Sequence, residues 1–326
     1  MNMENRKLGK SEHFISSVGL GCWQFAQNRG VVGKFWGEME DERVDAIIAE
    51  SLKNGVNWFD TAEIYGDGTS EQRLSAALRD QHVKSQDIMI ATKWNPVLRL
   101  ASSIERTFVE REKNLAPYPV ALLQVHNPTS LSSIPAQMKY MAALVKEHKI
   151  ELIGVSNFSL QRMYKAQKAL EKDGLWLTSN QMRYNLLDRS IEFNGVLQYA
   201  KEHAITIIAY SPLAQGILTG RYHEQQGLIQ KRPGFRKYKP AFRDASLKKT
   251  LPLIQTLREI AEQHHVTPAQ VALRWVVQYH GDSVVAIPGA SSAHQAAQNA
   301  AVMGFQLTSA ELNVLDEISR PQAEES

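Results

Sequence analysis

The stretch GVNWFDTAEIYG, Gly55–Gly66, decides the fold. It begins as a short apolar run that ends in a carboxylate, Asp60, and continues to a phenol, Tyr65. Two later apolar runs end in the same way, IATKW with Lys93 and LLQVHNP with His126. Because the carboxyl ends of parallel barrel strands share one face, we expect these four side chains to meet there. A carboxylate, a phenol, an ammonium group and an imidazole in one pocket predict a proton-transfer site.

The rest of the chain repeats one pattern, a short apolar run followed by an amphipathic stretch. The runs have the continuous hydrophobicity of buried parallel strands, and the stretches between them have the period of helices. The predicted strands are Ser17–Gly21, Val56–Asp60, Ile88–Lys93, Ala121–His126, Leu152–Val155, Thr178–Gln181, Thr206–Tyr210 and Val284–Ile287. The predicted helices are Asp41–Lys53, Ser70–Arg79, Ser102–Lys113, Ser133–Glu147, Ser159–Glu171, Ile191–Glu202, Leu251–His264, Pro268–Gln278, Ser292–Val302 and Ser309–Ile318. Eight such units predict an α/β protein built as a (β/α)8 TIM barrel.

An open doubly wound sheet is the alternative architecture for eight strand–helix units. It needs a glycine-rich phosphate turn after its first strand. The only candidate, GLGCWQ at Gly19–Gln24, lacks the third glycine and is not followed by a helical pattern. We therefore predict the barrel, as one domain over residues 1–326. Arg6–Ser16 is predicted to be an N-terminal β-hairpin that plugs the barrel, and extra C-terminal helices end in Ser309–Ile318 as a cover.

Composition narrows the class of protein. The 326 residues are 43% hydrophobic and 22% charged, and their net charge of +3 is too small to indicate nucleic-acid binding. No apolar run reaches the length of a membrane span. The N-terminal segment lacks the apolar core of a secretory signal, and the single cysteine, Cys22, excludes an intramolecular disulfide. We therefore expect a cytoplasmic protein. No histidine or cysteine pair has ligand spacing, so we expect no metal.

The four polar residues at the strand ends suit one another chemically. A free tyrosine has a pKa near ~10, too high for an efficient proton donor at neutral pH. An ammonium group beside the phenol would lower that pKa, and a carboxylate would hold the ammonium in place. Asp60 and Lys93 can form that ion pair, and His126 can orient a substrate oxygen. Each residue alone could be merely structural, but together they predict protonation of a developing alkoxide.

These residues resemble the aldo-keto reductase superfamily, and the resemblance covers nearly the whole chain. Its motifs, in order, are VGLGCW, GVNWFDTAEIYG, IATKW, LLQVHNP, IGVSNF, NQMRYN, AYSPLAQGILTG, VALRWVV, AIPGASS and QNA. The resemblance implies a (β/α)8 barrel that binds a nicotinamide dinucleotide and reversibly reduces aldehydes or ketones to alcohols. It implies Tyr65 as the general acid, Lys93 and Asp60 as the groups that tune it, and His126 as the residue that positions the carbonyl.

The resemblance also implies which residues hold the dinucleotide. Ser156, Asn157 and Gln181 would bind the nicotinamide carboxamide, and the Tyr210 ring would stack on the nicotinamide. Backbone N–H groups of the following turn would bind the pyrophosphate, and the start of the last barrel helix is a natural anion site. The implied cofactor-binding set is Gly21, Cys22, Trp23, Asp60, Ser156, Asn157, Gln181, Tyr210, Ser211, Pro212, Leu213, Gly216, Leu218, Gly220, Arg236, Ile287, Pro288, Gly289, Ser291, Gln295, Gln298 and Asn299.

One departure from the family pattern concerns a 2′-phosphate. Many NADPH-preferring members carry Arg or Lys just after PGA and another Arg a few residues on, where this chain has Ser291, Ser292 and Gln295. Hydroxyl and helix N–H groups would then hold the phosphate, with help from Arg236 or Lys237. Both lie in a polar loop, 221–245, that could fold over phosphates or be a solvated surface. The resemblance favours NADPH/NADP+, with NADH as the alternative.

Aromatic residues predicted near the mouth of the barrel indicate the substrate. Trp23, Trp36 and Trp94 follow the first and third strands, and they favour carbonyl substrates with apolar surface. A small carbonyl substrate is expected to contact Trp23, Trp94, Tyr65 and His126. Two rival functions are a dinucleotide-binding regulatory subunit that resembles potassium-channel β subunits, and a barrel lyase or isomerase that binds no dinucleotide. The sequence leaves the physiological substrate and the oligomeric state open.

Overall fold

Eight parallel strands close into a barrel in the computed structural model, which describes residues 4–27, 29–30, 37–225, 227–231 and 235–321, the side chains of residues 235 and 236 excepted. Each barrel strand pairs with the next one along the chain. Parallel bridges Val18–Ala286 and Gly21–Gly289 join the first strand to the last and complete the circle. The predicted (β/α)8 barrel is confirmed.

The strands coincide with the predicted ranges except at their ends. An N-terminal pair, β1 (Asn5–Lys7) and β2 (Phe14–Ser16), lies outside the barrel sheet. The barrel strands are β3 (Leu20–Gly21), β4 (Trp58–Asp60), β5 (Met89–Trp94), β6 (Leu122–Val125), β7 (Leu152–Ser156), β8 (Ser179–Arg183), β9 (Thr206–Tyr210) and β10 (Val284–Ile287). All four residues of β6 and β10 and all five of β7 are buried, as the continuous apolar runs predict.

Helices surround the barrel and pack on the outer faces of the strands. They are α1 (Asp41–Lys53), α2 (Thr69–Asp80), α3 (Ser103–Leu115), α4 (Ile134–Lys146), α5 (Leu160–Leu170), α6 (Ser190–Phe193), α7 (Val196–Glu202), α8 (Arg221–Glu224), α9 (Asp244–Gln263), α10 (Pro268–Gln278), α11 (Ala293–Ala301) and α12 (Ser309–Ser319). Short 3-10 turns connect α8 to α9. Within the described ranges, no helix has both the length and the hydrophobicity needed to cross a bilayer.

The structure corrects two predicted helix boundaries. The predicted helix Ile191–Glu202 is two helices, because Gly195 lies between them with φ of 80°. Glycine adopts this left-handed conformation without steric cost, and the helix is interrupted there. The long helix α9 begins at Asp244, ahead of the predicted Leu251, and contains Pro252. Because proline favours the first turn of a helix, Pro252 suggests that a helix begins at Leu251, although the helix in fact begins earlier.

The N-terminal hairpin closes the bottom of the barrel, as predicted. β1 and β2 pair in antiparallel register. Leu8 and Ile15 are fully buried in one cluster with Trp58, which begins β4. The buried Arg6 side chain donates to the carbonyl of Val284, the first residue of β10. The hairpin therefore covers the amino ends of the strands and leaves their carboxyl ends open.

A buried carboxylate fastens α2 to its neighbours. Glu71 is fully buried and accepts hydrogen bonds from Thr92 of β5 at 2.6 Å and from Asn114 of α3 at 3.1 Å. Arg111 of α3, itself buried, forms an ion pair with Glu71 at 2.7 Å. Burial raises the pKa of Glu71 even though Arg111 opposes this effect. The packing of β5, α2 and α3 against one another therefore depends on the buried carboxylate of Glu71 and its partners.

We expect the change Arg111→Leu to destabilise the protein by about 3–5 kcal/mol, because it leaves the Glu71 carboxylate buried without its counter-charge. The free energy of unfolding, from urea denaturation followed by circular dichroism, is the measurement. Lys146→Ala is the matched control, since it breaks an exposed ion pair with Asp173 that is worth at most about 1 kcal/mol. Equal effects of the two changes would contradict the assignment.

Candidate active site

A cavity of about 660 Å³ opens at the carboxyl ends of the barrel strands. Cofactor and ligand pockets typically span roughly 300–1,000 Å³. Lys93 lies just beneath the cavity wall, against Asp60 and Tyr65. The predicted residues that line the cavity are Gly21, Cys22, Trp23, Asp60, Tyr65, His126, Ser156, Asn157, Gln181, Tyr210, Ser211, Pro212, Leu213, Gly216, Ile287, Pro288, Gly289, Ser291, Gln295, Gln298 and Asn299. Most of the predicted site therefore shares one space.

The Asp60–Lys93 ion pair lies at the ends of β4 and β5. Lys93 is fully buried, and its ammonium group contacts Asp60 Oδ1 and donates to the Thr61 carbonyl at 2.7 Å. Asp60 Oδ2 accepts from Gln181 Nε2 at 2.9 Å and from Gln124 Nε2 at 3.1 Å. Every oxygen of the carboxylate is therefore satisfied. A buried charge pair needs such additional hydrogen bonds, because its mutual attraction alone rarely offsets desolvation.

The Tyr65 phenol lies against this pair. The Lys93 Nζ atom is 5.1 Å from the centroid of the Tyr65 ring. Burial raises the pKa of Tyr65 above its ordinary value, and the Lys93 charge opposes that rise. The Lys93 charge therefore lowers the pKa of Tyr65, as predicted, but desolvation raises this pKa by more. The predicted net lowering of the Tyr65 pKa is wrong. The phenol keeps its proton at neutral pH, which is the form that a proton donor needs.

His126 faces Tyr65 from the end of β6. The two rings meet edge to face at 5.6 Å between centroids, with 79° between their planes. Burial, first, and the Lys93 charge, second, lower the pKa of His126 to about 3. The imidazole is therefore neutral at physiological pH and can donate one N–H to an oxygen. Trp23 stacks on the other side of Tyr65, at 5.8 Å and 19°, and forms part of the cavity wall as predicted.

Trp94 does not lie at the mouth, contrary to the prediction. It is 2% exposed, belongs to the main hydrophobic core, and donates its indole N–H to Ser103 of α3 at 3.1 Å. Successive side chains of a strand point to opposite faces, so the residue after the inward Lys93 points outward. Trp36, also predicted near the mouth, lies outside the described residues, and the side chain of Arg236 is likewise outside them.

Two of the polar side chains predicted to bind a carboxamide bond to each other and to the backbone of the third residue. The Asn157 amide donates to Ser156 Oγ at 3.0 Å, and Ser156 Oγ donates to the backbone carbonyl of Gln181 at 3.0 Å. The Tyr210 hydroxyl donates to Asn157 Oδ1 at 3.0 Å. Asn157 has a positive φ of 59°, which turns the chain at the end of β7. The side chains of Ser156, Asn157 and Tyr210 are thus joined to one another and to the backbone of β8.

The turn after β9 contains several left-handed backbone conformations, and its Ala214 and Gly216 N–H groups donate to the Ser211 and Leu213 carbonyls, both at 2.9 Å. Ser211 and Gln215 have positive φ values, and Gly216 has φ of 100°, a conformation that favours glycine. Consecutive amides in such turns make concave anion sites. Two residues of this turn that were predicted to bind the cofactor lie outside the cavity wall. Leu218 is fully buried in the hydrophobic core, and Gly220 lies against Ile254 of α9, so neither lines the cavity.

The far end of the cavity lies at the beginning of α11. The backbone N–H and hydroxyl of Ser291 both donate to Gln295 Oε1, at 2.9 and 2.8 Å. Asn299 donates to the Gly289 carbonyl at 3.4 Å. A Cβ at Gly289 would lie 2.0 Å from Gln24 Nε2, so a side chain there would require the end of the Gln24 side chain to move. Neutral donors and acceptors therefore occupy the positions where many NADPH-preferring sequences carry a cation.

Comparison with known proteins identifies the family to which a chain with this site belongs. The profile of the Aldo/keto reductase family matches residues 17–320. The chain belongs to the aldo/keto reductase family. An uncharacterized oxidoreductase of Mycobacterium tuberculosis is 35% identical over 94% of this chain and 90% of its own length. The aldo-keto reductase YhdN of Bacillus subtilis is 30% identical over 94% and 91%.

Two solved structures are similar to this aldo-keto reductase over almost the full length of both chains. The glycerol dehydrogenase AKR11B4 of Gluconobacter oxydans has a TM-score of 0.85 and 25% identity, with 100% and 99% of the two chains covered. An aldo/keto reductase of Klebsiella pneumoniae in complex with NADP and acetate has a TM-score of 0.73 and 25% identity, with 99% and 98% covered.

Sequence reasoning missed several residues of this aldo-keto reductase site. Gln124 contacts Asp60 directly, and its signal was its place in LLQVHNP, two residues before His126. Residues that line the cavity without having been predicted include Gln24, Arg43, Ile64, Asn127, Arg183, Arg221 and Lys239. The long loops that carry many of them have no period to interpret. No group of three or more His, Cys, Asp or Glu residues suited to a metal occurs among the described residues.

We expect the His126 imidazole to stay neutral as the pH falls from 8 to about 4, because burial and the Lys93 charge both disfavour its cation. Nitrogen-15 NMR of histidine-labelled protein measures this, with His126→Gln for assignment. In Lys93→Met the pKa of His126 should rise, since one of the two causes is removed. A protonation midpoint near the ordinary value of ~6.5 in the unmodified protein would contradict the expectation.

Proposed function

We propose that this aldo-keto reductase catalyses the reversible reduction of aldehydes or ketones to alcohols with NADPH. The observation that carries the proposal is that Asp60, Tyr65 and His126 line one cavity, with Lys93 directly beneath its wall against Asp60 and Tyr65. Similar proteins support it, since one is a glycerol dehydrogenase and another was crystallised with NADP and acetate. The single cysteine is buried and free, in keeping with the cytoplasm as the proposed location.

The Tyr65 phenol is the proposed proton donor. It carries its proton at neutral pH, and the Lys93 ammonium group lies 5.1 Å from its ring centroid. As the proton leaves, the phenolate that forms is stabilised by this neighbouring cation, whose own pKa is raised by Asp60 and Tyr65 against the effect of burial. Lys93 itself stays charged because Asp60 and the Thr61 carbonyl hold its donors.

His126 is proposed to orient the carbonyl group of the substrate. Its neutral imidazole meets the Tyr65 ring edge to face, and both residues line the same cavity. Two donors converging on one oxygen would bind a developing alkoxide better than a carbonyl. The Trp23 ring, stacked on Tyr65, offers an apolar wall beside them and favours substrates with some apolar surface.

The residues at the wall fit a nicotinamide dinucleotide. Ser156, Asn157 and Gln181 would hold the carboxamide, and the Tyr210 ring, fixed by its bond to Asn157, would cover the nicotinamide. The positive-φ turn through Gly216 would bind the pyrophosphate with its backbone N–H groups. When bound, the dinucleotide supplies the hydride for carbonyl reduction.

The adenosine end would lie at Ser291, Gln295, Gln298 and Asn299, which line one end of the cavity. The N–H of Gln295 is already capped by Ser292 Oγ at 3.2 Å, and Ser291 is bonded to Gln295. A 2′-phosphate would therefore meet neutral groups there. We propose NADPH because the family favours it, and NADH is the alternative that titration decides.

We expect Tyr65→Phe to lower turnover of a generic aldehyde, such as 4-nitrobenzaldehyde, by roughly 10²–10⁴-fold, because it removes the proton donor. The affinity for NADPH, from quenching of tryptophan fluorescence, should stay nearly unchanged. Tyr164→Phe is the matched control, since Tyr164 is an exposed tyrosine on α5. Wild-type turnover in Tyr65→Phe would remove Tyr65 from the mechanism. Dinucleotide binding without turnover in the unmodified protein would favour a regulatory subunit instead.

We expect Gln295→Arg to tighten the binding of NADP+ by about tenfold, because a charge-assisted hydrogen bond to the 2′-phosphate is worth roughly 1.5 kcal/mol. The affinity for NAD+, which lacks that phosphate, should change little. Separate fluorescence titrations with the two dinucleotides give both dissociation constants. An equal change for both would mean that Gln295 does not lie near the 2′ position.

A further inference from the structure

Gln124 is a buried side chain beside the ion pair that the reaction described above does not use. It lies on β6 with 0% of its surface exposed. In the parallel register Gln124 is the partner of Lys93 on β5 and of Gly154 on β7. Its amide nitrogen donates to Asp60 Oδ2 at 3.1 Å. Gln124 therefore points into the barrel in the same layer as the catalytic lysine.

The neighbouring strand leaves space for this side chain. A Cβ atom at Gly154 would lie 2.8 Å from Cγ of Gln124 and 2.5 Å from Oγ of Ser179. Such distances are not tolerated between carbon atoms or between carbon and oxygen atoms in a packed interior. The position of Gln124 therefore depends on a glycine at the facing position of β7.

Gln124 shares one oxygen of Asp60 with a second glutamine. Gln181 Nε2 donates to the same Oδ2 atom at 2.9 Å and lies 3.5 Å from Gln124 Oε1. Oδ1 is left to Lys93. The two amides thus fix the plane of the carboxylate. Because the Gln181 amide nitrogen is engaged with Asp60, its carbonyl oxygen is the group left for the cavity that Gln181 lines.

We propose that Gln124 is a positioning residue for proton transfer. By donating to Oδ2, it orients the Asp60 carboxylate so that Oδ1 meets Lys93, and Lys93 in turn faces the Tyr65 phenol. This inference rests on the proposed function, because it assigns Gln124 to the proton-transfer step at Tyr65. Gln124 touches neither substrate nor the reacting atoms and acts only through Asp60.

Gln124→Glu tests this role because it keeps the shape of the side chain and makes its donor depend on pH. A protonated carboxyl group can donate to Asp60 Oδ2 as the amide does, but an ionised one cannot. The titratable groups around position 124 are Asp60 of β4, Lys93 of β5, His126 beyond β6, and Tyr65 and Cys22 at the cavity wall. On β7 and β8 the facing residues are Gly154, Ser179 and Gln181, which do not titrate.

Burial and the Asp60 charge raise the pKa of the introduced carboxyl group, and Lys93 opposes them. At about pH 5 the group is protonated, so the kcat of Gln124→Glu divided by that of the unmodified enzyme should approach one. As the pH rises to about 9, this ratio should fall on the order of 10- to 100-fold, because an ionised group repels Asp60 and misplaces Lys93. Gln124→Leu should lose a similar factor at every pH. The assay follows NADPH oxidation with 4-nitrobenzaldehyde.

Gln137 supplies the matched control. It is a 3% exposed glutamine on α4 whose amide donates to the Ser132 carbonyl at 2.9 Å. Gln137→Glu and Gln137→Leu should leave kcat unchanged at both pH values. The dissociation constant of NADP+, from fluorescence quenching, should stay nearly constant in the Gln124 variants, which shows that they are folded.

A ratio for Gln124→Glu that does not change with pH, in an enzyme that turns over, would overturn the role of Gln124 alone. Full kcat in Gln124→Leu would do the same. If the unmodified protein reduces no carbonyl compound at all, the proposed function fails and the role of Gln124 fails with it. The two failures are therefore distinguishable, because only the second abolishes wild-type turnover.

Discussion

The buried ion pair between Asp60 and Lys93 is the constraint on which the site depends. A fully buried ammonium group costs several kcal/mol in desolvation, so it persists only with a counter-charge and with its remaining donors satisfied. Here the Asp60 carboxylate and the Thr61 carbonyl supply both, and two glutamine amides satisfy the far oxygen of Asp60. Strands β4, β5, β6 and β8 contribute these groups, so the register of half the barrel is tied to one charge.

The same cation sets the protonation of its two neighbours. Burial raises the pKa of the Tyr65 phenol, and the Lys93 charge reduces that rise without reversing it. The His126 imidazole is held neutral by burial and by Lys93 together. The pocket therefore presents two neutral donors over one fixed positive charge. Such a site can give up a proton because Lys93 stabilises the negative charge that is left behind. In an apolar pocket without the lysine, neither Tyr65 nor His126 could do this.

Much of this arrangement can be predicted from the sequence, and the failures have physical causes. The barrel and the four polar residues are predictable because each motif ends an apolar run, and parallel strands end at one face. Trp94 was misplaced although strand alternation assigns it the face opposite to Lys93. Leu218 lies two residues after Gly216 in an irregular turn, where no period indicates which side chain is buried. The contact of Gln124 with Asp60 depends on the register of β4, β5 and β6, and this register cannot be read from a single sequence.

Charge is distributed unequally between the two ends of the cavity. At the reacting end, the charges of Asp60 and Lys93 are compensated within hydrogen-bonding distance. At the end formed by the beginning of α11, Ser291 and Gln295 bond to each other, while the cations Arg43 and Arg221 also line the cavity wall. Coulombic attraction falls with distance and is screened by solvent in an open cleft. Under the proposed function, the groups that transfer the proton are therefore held by buried, short-range contacts, and the choice of dinucleotide would depend on weaker ones.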